Sequence, residues 1–322
     1  MATARVRSVF GVVGAVPDQG EVDMRRVEQK VLAVGIVVAS LGLASCGVKA
    51  SLDQAVASLG AQPSVQIHLS ASAAGAGSTQ VQKVMSVLSL DMSYASTNGS
   101  ALSDSAGNIN SDIKVNVGNQ SLAEIRQVDS NLYVTLDASA LSAVPGVNLS
   151  PTEIASIQLI AGGRWFELPK SLLNSYIPSS ASAKAKAKAQ AAKDVAISRQ
   201  IIDDLTAVIA ATPYKTLAGG GYSQTGTLES IVKAVLPTIK SITSRPINVN
   251  SVKGTYEISV TMSGSTATGG SIKITAPSGS GGDASVALET TVTHASSNIT
   301  APSGATVITP ALLKGLMSQA AG

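Results

Sequence analysis

The chain has 322 residues, of which 44% are hydrophobic and only 3% aromatic, and its formal net charge is +3. So small an excess of positive charge provides no concentrated basic face for nucleic acid, and so few rings leave little material for stacking sugars or bases. One cysteine and two histidines exclude an internal disulfide and offer no metal-ligand cluster, so no metal and no cofactor is expected.

Arg25, Arg26 and Lys30 form a short basic segment, followed by an uncharged apolar run from Val31 to Leu43 and the small residues Ala44 and Ser45 ahead of Cys46. A basic segment, a short apolar run and small residues at a cleavage point are the parts of an export signal. Crossing a bilayer takes about 20 apolar residues, so this run is short for a membrane span. Leu43-Ala44-Ser45-Cys46 resembles the lipobox of bacterial lipoproteins. That resemblance implies a lipid on the Cys46 thiol, cleavage just before it, and a chain anchored on the extracytoplasmic face of the cell membrane. Multiple acyl chains on one cysteine hold stably, because each buried methylene contributes about 0.8 kcal/mol. Residues 1–23 carry Asp18, Glu21 and Asp23 with Pro17 and Gly20 and have no role in such a signal. Translation is expected to start at Met24, which makes 1–23 an extension, 24–45 the signal, 46–62 a lipidated tether and 63–322 one domain.

The tether includes an expected helix from Leu52 to Leu59. Alternating apolar residues then mark strands. Val65, Ile67 and Leu69 share one face of the first, Leu88, Leu90, Met92 and Tyr94 one face of the second, and Ile113, Val115 and Val117 one face of the third. Gly118-Asn119 predicts a hairpin turn into a strand from Leu122 to Val128. Asp129-Ser130-Asn131 predicts another turn, into Leu132, Val134 and Leu136. Five strands at this spacing imply an antiparallel meander.

The period then changes. Asp137 is placed to cap a short helix reaching Val144, Arg164 to Leu168 reads as extended, and Pro169 opens a helical turn. The Ala/Lys run Ser179 to Lys193 reads as a solvated helix start or a mobile loop, leading into an amphipathic helix with Ile201, Ile202, Leu205, Val208 and Ile209 on one side. Pro213 stops it. A second helix, Leu228 to Ile242, carries Ile231, Val232, Val235, Ile239 and Ile242 on one side, with a kink expected at Pro237. Strands return with Tyr256, Ile258, Val260 and Met262, then Ile272 and Ile274, then Val286, Leu288, Thr290 and Val292. Gly264 to Gly270 and Ser278 to Gly282 read as loops between them. Val307-Ile308 and a helix from Pro310 to Met317 close the chain. Strands, helices, strands and a helix make an α+β pattern, with helices on one face of an antiparallel sheet.

Three segments carry a wider likeness. Within the hairpin Glu124 to Leu136 the segment Val128-Asp129-Ser130-Asn131-Leu132-Tyr133-Val134 ends in a Tyr-Val pair, Gly163-Arg164-Trp165-Phe166-Glu167-Leu168 matches a Gly-x-Trp-x-x-Leu segment, and Ile299-Thr300-Ala301-Pro302 precedes Val307-Ile308-Thr309-Pro310. In these the chain resembles the LppX/LprG-type lipoproteins of actinobacteria, which are similar in fold to the LolA lipoprotein carriers. The insertion Ala181 to Lys193 departs from that pattern. The resemblance implies a strongly curved antiparallel sheet, a half-barrel wrapped around central helices, with an apolar cavity for acylated lipids or glycolipids and handover to other envelope transport proteins.

Residues that carry chemistry elsewhere read here as structural. His68 and His294 stand alone, and His68 faces away from Ile67 and Leu69. Asp203 and Asp204 are adjacent on a helix and diverge by about 100°, which is wrong for a catalytic pair. Gly219-Gly220-Gly221 is followed by no Lys-Ser/Thr, so it reads as a turn, and no Gly-x-Ser-x-Gly elbow occurs. Lys184, Lys186, Lys188 and Lys193 surround a helix axis, leaving weak attraction to anionic headgroups as their functional reading. No enzyme is expected. The expected cavity lining is Leu90, Met92, Val115, Leu132, Val134, Ile258 and Val260 on strands, with Ile202, Leu205 and Ile209 on the helix. The rival expectation is a structural or interaction lipoprotein of the same fold with a packed core.

Overall fold

The computed structural model describes residues 57–75, 79–105, 108–175, 181–218, 220–242, 248–277 and 281–312. The expected signal, Cys46 and most of the tether lie outside the described residues, as does the expected terminal helix beyond Leu312. Residues 57–60 and 310–312 are helical, within the two expected terminal helices or at their ends.

The alternating runs become strands as expected. β1 (Ser64–Gly75), β2 (Leu88–Ser96), β3 (Ile109–Val117), β4 (Gln120–Val128) and β5 (Asn131–Leu136) form an antiparallel meander. Its turns are legible: Gly118 has φ 58°, and Asp129 and Ser130 have φ 49° and 73°, the left-handed conformations that tight hairpins need. β6 (Phe166–Leu168) extends the meander beside β5. A second meander comprises β8 (Tyr222–Thr227), β9 (Thr255–Ser263), β10 (Thr266–Pro277) and β11 (Asp283–Thr293). β11 pairs with β1, so the two meanders fuse. Two-residue strands finish the edges: β7 (Lys215–Thr216) beside β8, and β12 (Thr306–Val307) parallel to β6. Among the described residues the order is β12-β6-β5-β4-β3-β2-β1-β11-β10-β9-β8-β7, one open sheet that dominates an α+β chain.

The Gly-rich stretch Gly264 to Gly270 is strand rather than loop. The chain turns at Gly264 (φ 59°) and β10 begins at Thr266. A Cβ at Gly269 would lie 2.4 Å from the Thr290 carbonyl oxygen, and one at Gly270 2.6 Å from that of Ser259. Those glycines mark close backbone approach, which the sequence reading took for flexibility. Bulges between Val115 and Asn116 and between Ala267 and Gly269 bend and twist their strands locally.

The connecting segments contain α1 (Thr79–Met85), α2 (Ala138–Leu141), α3 (Pro151–Ala161) and α4 (Lys170–Ser175). Asp137 caps α2 as expected, accepting from the Ser139 backbone N–H at 2.9 Å. α3 escaped the sequence reading although Ser150 and Glu153 form a reciprocal capping box with Pro151 in the first turn, a recognisable start signal. The long helix α5 (Ala181–Ala211) includes the whole Ala/Lys run and ends before Pro213; α6 (Leu228–Ile242) contains Pro237. The two helices pack together, and the Thr238 hydroxyl donates to Asp204 at 2.8 Å.

Candidate functional site: the apolar face of the sheet

Antiparallel register carries the alternation of each strand onto its neighbours. One row across the sheet reads Val292, Ile67, Met92, Ile113, Ile125, Val134 and Phe166. The next reads Tyr222, Val260, Gly270, Thr290, Leu69, Leu90, Val115, Ala123 and Leu136. Two shorter rows follow on the second meander: Gln224, Ile258, Ile272, Leu288 and Ala71, then Gly226, Tyr256, Ile274, Val286 and Ala73. Side chains in register share a face, so nearly every apolar strand residue stands on one side.

All seven strand residues expected to line a cavity lie on that face. Met92, Ile258 and Val260 are buried, whereas Leu90, Val115, Leu132 and Val134 are half-buried. Ile209 is buried in contact with Tyr256 and Ile258, and Leu205 is half-buried. The side chain of Ile202 lies outside the described ones.

Cover over this face is uneven. Leu59 and Leu102 pack on Val65, Ile67, Met92 and Tyr94 at one end. Ile209 of α5, with Leu228 and Ile231 of α6, packs on Tyr256, Ile258 and Ile272 toward the other. Between and beside these clusters Ile125 is 43% exposed, and Ile274 and Val286 are each 42% exposed. Leu69, Leu90, Val115 and Leu288 join them as half-covered neighbours. Single exposed aliphatic residues are ordinary; a connected set on one sheet face is the signature of a contact surface.

The same face holds polar groups that sequence reasoning missed. Gln224 is 1% exposed, and neither atom of its amide has a hydrogen-bond partner among the described residues. The hydroxyls of Thr290 and Tyr214 are likewise buried without partners. Tyr214 packs against Tyr222 and Val260, and burial, with a smaller contribution from neighbouring Tyr256, pushes its phenol up to about 12. The Tyr256 hydroxyl lies 3.2 Å from that of Thr212. No apolar alternation marks Tyr222 to Thr227, so nothing in the sequence signalled this glutamine. The turn before it at Gly220 and Gly221 is the loop expected there; a Cβ at Gly221 would lie 2.2 Å from the Val260 carbonyl oxygen.

The opposite face pairs its charges, although Asp112 Oδ1, Arg126 Nε and Ser297 Oγ are buried without partners among the described residues. Arg126 contacts Asp112 at 3.3 Å and Glu124 more closely, and Lys114 lies 3.7 Å from both carboxylates. The Arg126 guanidinium also stands 4.9 Å from the Trp165 ring centroid. Burial first, and Glu124 second, push the Asp112 carboxyl up to about 6 against the pull of Arg126 and Lys114. His68 Nδ1 meets Asp91 at 2.6 Å, and Asn116 donates to the other Asp91 oxygen at 2.6 Å. A cleft of about 280 Å³ opens here, lined by Gln66, His68, Asp91, Asp112, Lys114 and their neighbours. Residues 294–305 cross this face as a strap. Ser64, Asn110 and Arg126 donate to the carbonyls of Ala295, Ile299 and Thr300, and the Ile299 side chain is buried with Ala95, Val128 and Tyr133.

The other candidate groups are dispersed. His294 Nε2 lies 3.4 Å from the Ala267 carbonyl oxygen. Asp203 points to solvent while Asp204 accepts from Gln200 and Thr238. Among the described residues no group of three His, Cys, Asp or Glu is placed to hold a metal, and no helix is long and apolar enough to cross a membrane.

No protein-family model matches this chain, and no curated protein matches it. The functional reading therefore stands on the two faces of the sheet.

Proposed function

We propose that this chain is an envelope lipoprotein, anchored through acylated Cys46 to the extracytoplasmic face of the cell membrane, that binds acylated lipids or glycolipids along the apolar face. It passes them to other envelope proteins without chemical change. The LppX/LprG-like form, a half-barrel curved around α5 and α6, belongs to this reading. The observation that supports it is the incomplete cover over a continuous apolar face, centred on Ile125, Ile274 and Val286. Alkyl chains laid there remove apolar area from water at roughly 25 cal/mol per Å². Binding of this kind needs few polar contacts and tolerates a range of chains.

The test uses the full-length chain expressed in an actinobacterial host and purified in mild detergent. Solvent extraction followed by mass spectrometry is expected to release acyl lipid in near-stoichiometric amount, beyond the lipid bonded to Cys46. Val286→Asp combined with Ile274→Asp is expected to abolish that recovery, because a charge is costly against alkyl chains. A wild-type protein carrying only its covalent anchor overturns the proposal and leaves the packed structural lipoprotein.

A further inference from the structure

The apolar face leaves hydrogen-bonding capacity over at Gln224, Tyr214 and Thr290, and only at Gln224 are both a donor and an acceptor of one amide unmet. Gln224 sits on β8 between Tyr222 and Gly226 of the same face, opposite Ile258, which Tyr256 and Val260 flank on β9. Its amide is buried with both the donor and the acceptor unpartnered among the described residues, and the hydroxyl of Tyr214, whose side chain packs with Tyr222 and Val260, is unpartnered too. Buried amides in folded proteins nearly always have partners, and an exception calls for a water, an ion or a ligand. A water needs two to four polar contacts, whereas the strand neighbours of Gln224 are mainly apolar. A ligand that carries its own alkyl chain suits those neighbours and brings the missing hydrogen bonds with it.

The chemistry of the site narrows the ligand. The face-sharing positions of β8 and β9 are Tyr222, Gln224, Gly226, Tyr256, Ile258 and Val260, none of them charged. A carboxylate or phosphate buried there finds no cation among these strand positions to neutralise it. The amide offers an N–H donor and an oxygen acceptor, so its complement both accepts and donates. An ester supplies acceptors alone and leaves the amide oxygen unmet. Neighbouring hydroxyls of a glycerol or sugar supply both. The Tyr214 phenol, protonated at neutral pH like any tyrosine, adds a further donor.

Resting on the lipid-binding reading above, we propose that Gln224, assisted by Tyr214, recognises the hydroxyls of a neutral, hydroxyl-bearing acyl lipid whose chain lies along the apolar face. The site thereby selects among lipids with the same chain.

The experiment measures binding of three palmitoyl probes to delipidated full-length protein: 1-monopalmitoylglycerol, methyl palmitate and palmitate. Wild type is expected to bind the monoacylglycerol about tenfold more tightly than the methyl ester, the size of one buried hydrogen bond left unmade, and palmitate least. Gln224→Met keeps the length and flexibility of the side chain and is expected to remove that preference while palmitoyl probes still bind. Its thermal midpoint is expected to rise, since an unpartnered amide is gone. Tyr214→Phe, an independent variant, is expected to narrow the preference by less. Equal binding of all three probes by wild type, or a preference retained in Gln224→Met, overturns the assignment of Gln224 and leaves lipid binding intact. Failure of wild type to bind any probe overturns lipid binding itself.

Discussion

On one side of β1–β4 the charges of Lys114 and Arg126 meet Asp112 and Glu124, and residues 294–305 are laid across that surface with their carbonyls engaged. On the other side the same four strands present Leu69, Leu90, Val115 and Ile125 with only partial cover. A strand places alternate residues on opposite faces, so a single backbone carries both surfaces. An antiparallel sheet commonly turns its polar face to water and buries the other. Here the polar face pairs its charges within the chain while leaving Asp112 Oδ1, Arg126 Nε and Ser297 Oγ without partners among the described residues, and the apolar face is covered only where α5, α6 and residues 57–60 reach it. The difference places the exposed aliphatic surface of these strands on one side of the sheet.

The contrast breaks most sharply if covered and uncovered positions of the apolar face prove equivalent. Ile258→Ala removes a side chain packed beneath Ile209 and is expected to cost about 2–5 kcal/mol of stability, the usual range for truncation in a closed core. Ile274→Ala, one strand away but well exposed, is expected to cost about 1 kcal/mol or less. Urea unfolding of the two variants checks this; equal losses show Ile274 to be core and remove the open surface.

The next largest effect tests the polar face. Arg126→Ala leaves Asp112 and Glu124 buried together without their closest cation and withdraws a donor from Thr300. Breaking a buried pair from one side costs about 3–5 kcal/mol, and the partial exposure of Arg126 puts the expected loss near 3 kcal/mol. Hydrogen exchange is expected to quicken in residues 294–305 first. Unchanged exchange there shows that Ile299, and not the guanidinium, holds the strap.

Much of this arrangement was legible beforehand, because alternation reports the face of a strand directly. Leu90, Met92, Val115, Ile258 and Val260 were assigned to one side from spacing alone, and register then joined strands the sequence could not pair. Distance along the chain hid the rest. β1 and β11 lie far apart in sequence and pair only through the fused meanders, so the continuous rows were invisible. Gly269 and Gly270 looked like loop because composition does not distinguish freedom from close approach. Gln224 passed unnoticed because Tyr222 to Thr227 carries no apolar alternation and was not read as a strand, and only the structure shows it buried.

A smaller effect concerns pH. Asp112 keeps its proton up to about pH 6 in the folded chain, whereas an ordinary carboxyl with a value of 3.8 has lost it. The folded state therefore binds more protons between those values, and the contribution of Asp112 to stability falls as pH rises from about 4 through 6, then levels off. Solvent still reaches the group, so the change is expected to be about 1 kcal/mol. Asp112→Asn is expected to flatten that part of the stability profile measured from pH 4 to 8. A variant profile parallel to wild type assigns the slope to another group.

The smallest effect is expected at His68. Its contact with Asp91 is short, yet both side chains are about half exposed, and pairs of that kind contribute about 0.2–1 kcal/mol because water competes for each partner. His68→Ala is therefore expected to shift the urea midpoint barely at all, and added salt is expected to erase the shift. Asp91 would keep its bond from Asn116, which softens the loss further. A cost of several kcal/mol, insensitive to salt, would mean that the 280 Å³ cleft beside it is a built structure rather than a gap between surface side chains. The polar face would then hold a site of its own, and the asymmetry between the two sides of the sheet would no longer identify which one binds.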